Sequence, residues 1–139
     1  MRLWHYKLIP YLPDSQLIAQ WRELNAILRN KPKHILINYV YEHDKMYLRN
    51  YCLYVIAEMH KRNFKISQES INNYIDLDFN VGKNNVDFTT CFPEHNNRYL
   101  MQCFRNLQEK YDRGQKDFSE KQYDDLSWFV ATEIGKEIL

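Results

Sequence analysis

Four separated stretches of this chain repeat large side chains every three or four residues: Leu17, Trp21, Leu24 and Leu28; Leu48, Cys52, Val55 and Met59; Leu100, Cys103, Leu107 and Tyr111; and Leu126, Val130, Ile134 and Ile138. That spacing gathers each set on one side of an α-helix. Backbone breakers are scarce, with 3 Gly and 4 Pro in 139 residues, too few for the many tight turns of a small all-β fold. The expected fold is all-α: a compact single-domain bundle of three to four long helices with long connecting loops, formed by residues 1–139.

Local signals set the boundaries. Asp14-Ser15 after Pro13 can accept unpaired first-turn N–H groups and start a helix that runs to about Arg29, where Asn30-Lys31-Pro32-Lys33 breaks it. His43-Asp44 can cap a second helix from about Lys45 to Arg62, about 27 Å long at 1.5 Å per residue. Ser67 can cap a short helix over 68–75. Residues 76–92 lack helical period and read as a long surface connection. Pro93 suits the first turn of a third long helix that Gly114 stops. Ser119 with Gln122 forms a capping box for a last helix.

Apolar residues make up 45% of the chain, unlike the apolar-poor mixtures that stay disordered. Three cysteines, Cys52, Cys91 and Cys103, fit neither a C-x-x-C pair nor a disulfide framework, which suits a reducing cytoplasm. Pro10 and Pro13 interrupt any apolar stretch of signal length, and no segment approaches 18 uninterrupted apolar residues, so no membrane association is expected. The net charge is +1, but it is unevenly spread. Residues 1–65 hold 11 Lys and Arg against 5 Asp and Glu, and the remainder hold 8 against 13. The first half can therefore present a basic face, or simply carry solvated helix flanks.

In Trp21-Arg22-Glu23-Leu24 a charged pair interrupts an otherwise amphipathic helix. By spacing alone such a pair is most often solvent-facing. The motif resembles the aromatic-Arg-Glu-Leu of the endonuclease V-type pyrimidine-dimer DNA glycosylases, which stands at this distance from the N-terminus on the first helix. Tyr39-Val40-Tyr41, Leu48-Arg49, Ile56-Ala57-Glu58 and Lys61-Arg62-Asn63-Phe64 follow in that family's order and spacing. The opening Met-Arg-Leu-Trp-His and the Pro93-Glu94-His95 triplet are similar to those of its cellular branch. The likeness is good over roughly residues 1–65, loose over the Pro93-to-Tyr111 helix, and absent beyond Lys116, where the family's DNA-contacting tail has no counterpart.

The resemblance implies a DNA repair glycosylase with AP-lyase activity on pyrimidine-dimer-like damage in duplex DNA. In such enzymes the chain's α-amine attacks C1′ of the damaged nucleotide, the base leaves, and the resulting imine permits strand cleavage by β-elimination. An α-amine titrates near 7.7–8.0 and a Lys amine near 10.4, so its reactive fraction at neutral pH is larger by roughly two orders of magnitude. The implied catalytic residues are Met1, as amine donor, and Glu23, as the carboxylate that moves protons and stabilises the cationic intermediate. The family presents a small residue after losing its initiator Met, followed by Arg, whereas bulky Arg2 here opposes that removal. Two registers stay open, with either Met1 or Arg2 in the small residue's place, and Met1 donates the amine in both.

DNA contact is expected from Arg2, Arg22, Arg29, Lys31 and Lys33 along one phosphate-binding edge, and from Trp4 and Trp21 stacking on bases or wedging into a kinked duplex. Core packing is the plainer reading of the two Trp residues. His43 reads as part of a cap and His95 as a first-turn residue supporting the site. No Cys/His ligand spacing or His-Glu-x-x-His occurs, so no metal and no small-molecule cofactor is expected. The expected partner is damaged duplex DNA, and the protein is expected to be a cytoplasmic, nucleoid-associated monomer. Two alternatives remain: a non-catalytic nucleic-acid-binding domain of the same fold, and a metal-dependent hydrolase using His43 and His95.

Overall fold

The computed structural model describes residues 1–75 and 90–138. Among them the chain is all-α: α1 Asp14–Asn30, α2 Lys45–Lys61, α3 Gln68–Ile75, α4 Asn97–Asp112 and α5 Glu120–Ile138, with short 3-10 helices at Tyr6–Tyr11 and Asn38–Glu42. α1 packs on α2, α4 on α5, and the Tyr6–Tyr11 turn touches both α2 and α5. One continuous set of buried side chains runs through these contacts, from Leu3 and Leu8 through Leu17, Leu24, Val55 and Leu100 to Leu126 and Val130. No described helix is long and apolar enough to cross a membrane.

The start of α1 differs from expectation. Pro13 occupies the cap position and offers no side-chain acceptor. The first-turn N–H of Ser15 is met instead by Asp117 Oδ2 at 2.7 Å, from the loop before α5. Asp14 turns away to accept from Arg62 Nη1 at 2.9 Å. Arg62 also donates to the carbonyls of Leu12 and Pro10, at 2.7 and 3.1 Å, clamping the N-terminal turn to the end of α2. α1 ends with Lys31 in the left-handed region, φ 45°. At the start of α2 Asp44 alone caps, accepting from Met46 N at 2.9 Å, while His43 bonds Glu94 at 2.8 Å.

α4 begins at Asn97, four residues later than Pro93, because Asn96 caps it by accepting from Tyr99 N. His95 is drawn inward before that helix starts. Gly114 stops the α4 segment with φ 84°, which favours glycine. The Ser119–Gln122 capping box is present, with reciprocal bonds of 2.8 and 3.1 Å. The connection expected over 76–92 lies outside the described residues except for 90–92. There the surface reading fails at Phe92, which is 2% exposed and packs among Tyr39, Tyr47, Tyr51 and His95.

His5 and His95 sit in this aromatic core, 1% and 6% exposed. Nδ1 of His95 accepts from Tyr6 N at 3.1 Å, so its proton is on Nε2, 2.7 Å from the Tyr39 hydroxyl. His5 Nδ1 accepts from Lys7 N at 3.1 Å. Burial lowers the pKa of His5 to about 4 and that of His95 to about 3, with the neighbouring His5 adding to the latter. The unfolded chain therefore takes up protons first as pH falls below 6.5. Stability is complete above that value and is lost progressively toward pH 4 to 3. Thermal unfolding should show a midpoint that drops from pH 7 to pH 5, by about 2 kcal/mol of stability per ring. A flat profile across that interval would contradict the neutral, buried rings.

Candidate active site

Adjacent residues on a helix are about 100° apart, so α1 sends Arg22 and Glu23 to different flanks. Glu23 shares its flank with Gln16, Ala19 and Gln20 and faces the N-terminal strand of chain before the first 3-10 turn. Together with Met1, Arg2, Trp4, Leu36, Asn106 and Lys110 these residues line an open depression of about 310 Å³. Leu3, 0% exposed, anchors the terminus beside it while Met1 is 41% exposed.

Gln20 organises the depression. Its side chain is 1% exposed. Its Oε1 accepts from Trp4 N at 2.8 Å, and its Nε2 lies 3.2 Å from the Arg2 carbonyl and 3.3 Å from Glu23 Oε2. The Tyr51 hydroxyl, on α2, sits between Trp4 O at 2.7 Å and Gln20 Oε1 at 2.9 Å. One amide thus ties the first residues of the chain to the carboxylate one helical turn further on. From α4, the Tyr99 hydroxyl donates to the Leu3 carbonyl. Burial raises the pKa of Glu23, and the positive N-terminal amine and the Arg2 backbone N–H pull it back down. Met1 and Glu23 border the same depression.

Gln20 carries no sequence signal, since a glutamine on an amphipathic helix reads as solvent-facing. Replacing it with Leu leaves the Trp4 N–H buried without its acceptor, which should cost about 1–3 kcal/mol. It should also loosen the terminus from Glu23. Urea unfolding measures the first effect and strand cleavage the second; a variant with wild-type values for both would show that the amide holds nothing in place.

The basic edge expected from sequence is divided. Arg2 turns inward, its guanidinium 5.8 Å from the Tyr99 ring centre and 3.9 Å from Cys103 Sγ. Arg22 and Arg29, both exposed, lie on the other flank of α1. With Trp21, Asn25, Glu69, Ser70 and Asn73 they line a second cleft of about 510 Å³. Lys31 and Lys33 are exposed in the loop after α1. Trp4 is 6% exposed and borders the depression, and Trp21 is half-buried against Tyr74, ring centres 5.2 Å apart. His43 lines neither space, being held by Glu94, and His95 belongs to the aromatic core. Lys110 and Asn106, on α4, border the depression without having been predicted. Among the described residues no three His, Cys, Asp or Glu side chains come together as a metal site.

The family model for pyrimidine dimer DNA glycosylases matches residues 1–72. The chain belongs to that family. The matched span holds the N-terminus, Gln20, Glu23 and the Arg22 and Arg29 flank, and ends before α4. No curated protein and no solved structure matches the chain. The protein is thus a DNA repair glycosylase whose substrate is damaged DNA.

Proposed function

We propose that this glycosylase is also an AP lyase that works through an imine on its N-terminal amine. The observation that carries the reading is that Met1 and Glu23 line one depression, with Gln20 bonded both to the Arg2 carbonyl and to the Glu23 carboxylate. The Met1 amine attacks C1′, the base leaves with a proton, and the ring-opened sugar remains as an imine on the protein. Removal of a C2′ proton then expels the 3′ phosphate, and water frees the amine. Glu23, raised by burial toward the working pH, is suited to moving these protons and to stabilising the cationic imine. Residues 1–139 act as one helical domain, metal-free and monomeric, in the cytoplasm at the nucleoid. Pyrimidine dimers are the lesion class.

Borohydride added to protein and abasic duplex DNA tests the reading. A covalent adduct is expected, because only an imine is reduced to a stable amine. Binding without any adduct would overturn the imine; if base release were absent as well, the non-catalytic nucleic-acid-binding alternative would stand.

Exposed Arg22, Arg29, Lys31 and Lys33 support duplex binding through phosphates. Four such contacts give a log–log salt slope near −3.6, or about a hundredfold loss of affinity between 50 and 200 mM salt. Arg22→Ala and Lys33→Ala should each flatten the slope by about one unit in a fluorescence-anisotropy titration. An unchanged slope in both variants would remove these residues from the interface.

A further inference from the structure

The chain between α1 and the Asn38–Glu42 turn carries two apolar side chains directed at water beside the depression. Ile35 is 85% exposed and Leu36 40%. Single exposed apolar residues are ordinary on protein surfaces, but this pair is held in place. The His34 carbonyl accepts from both Ile37 N and Asn38 N at 2.9 Å, closing a turn with Ile35 and Leu36 at its tip. The His34 N–H donates to Asn38 Oδ1 at 2.8 Å, and Leu36 N donates to His34 Nδ1 at 3.1 Å. The Tyr41 hydroxyl donates to the Pro32 carbonyl at 2.7 Å, and Ile37, 0% exposed, roots the turn in the core.

The surroundings indicate what this tip meets. Leu36 lines the depression with Met1 and Glu23. Exposed Lys31 and Lys33 precede the tip in the same loop. The contrast is Trp128, 77% exposed on α5 near exposed Asp124 and Asp125, where a polyanion would be repelled. A rigid apolar tip flanked by cations and continuous with a nucleotide-sized depression matches the devices that separate stacked bases. There, apolar wedges unstack a base step while neighbouring cations hold the phosphates.

We infer that the Ile35–Leu36 tip is a wedge that enters the damaged duplex beside the lesion, fills the space left in the stack and holds the sugar over the Met1–Glu23 depression. This rests on the reading of the depression as the reaction site. Ile35, at the outer end, supplies the intercalating contact, and Leu36 joins it to the pocket wall.

The test uses duplex DNA carrying a tetrahydrofuran abasic analogue with 2-aminopurine beside it; the analogue cannot form an imine, so unstacking is read without chemistry. The wild-type protein should raise 2-aminopurine fluorescence severalfold. Ile35→Ser should lower that rise at least fivefold, and Ile35→Leu should restore it. On true abasic DNA, Ile35→Ser should lower the duplex-to-single-strand ratio of borohydride trapping rates at least tenfold. A wild-type fluorescence rise with no trapping on either substrate would sink the lyase reading and leave the wedge standing. The wedge is overturned by no wild-type rise, by the same rise in Ile35→Ser, or by equal loss of trapping on single and double strands.

Discussion

Glu23→Gln is expected to lower strand cleavage of abasic duplex DNA by about 10²–10⁴-fold, the usual contribution of a general acid or base, while DNA affinity stays within about twofold. The substitution keeps the shape and leaves an oxygen to accept from Gln20 Nε2, which lies 3.3 Å from the carboxylate. It removes the negative charge that faces the terminal amine and the ability to exchange a proton. Because the Glu23 carboxyl is partly buried and raised in pKa, it is nearer the working pH than a surface glutamate. Single-turnover cleavage measures the loss. A variant that retains more than half the wild-type rate would remove Glu23 from the chemistry.

Adding one residue before Met1 should have an effect at least as large. The reactive amine becomes an amide and the new amine lies about 3.8 Å further along the chain. Leu3 is fixed in the core and the Arg2 carbonyl is bound to Gln20, so the displaced amine cannot recover its place by sliding. Borohydride trapping of abasic DNA should fall below detection. Trapping at the untagged rate would make a lysine the nucleophile, and Lys110, in the same depression, the first residue to replace.

The helices were legible because their signals are local: apolar spacing, the Asp44 cap, the Ser119–Gln122 box and Gly114 each act within a turn of their own position. The errors fall where a distant segment supplies what the local sequence lacks. Asp117, from the other end of the chain, caps α1. His95 is pulled into the core by Tyr6 N–H and Tyr39, which delays α4 to Asn97. The same limit applies to the site. Glu23 was singled out by its motif, but nothing local marked Gln20, Lys110 and Asn106 as its neighbours, because which helix flank faces the N-terminus is set by the fold. Arg2 and Trp4 were assigned to DNA from residue type and chain position; in the fold Arg2 turns toward Tyr99 and Trp4 is 6% exposed, and both border the depression.

The central claim is that the chain's own terminus is the nucleophile, and the most direct measurement is the mass of the peptide that carries the reduced DNA adduct. Protein trapped with abasic duplex DNA by borohydride, digested and sequenced by fragmentation, should carry the sugar remnant on the α-nitrogen of Met1. Lys110→Arg, which keeps the charge but forms no stable imine, should carry it at the same place. A remnant on the Lys110 side chain, or on any lysine, would contradict the account.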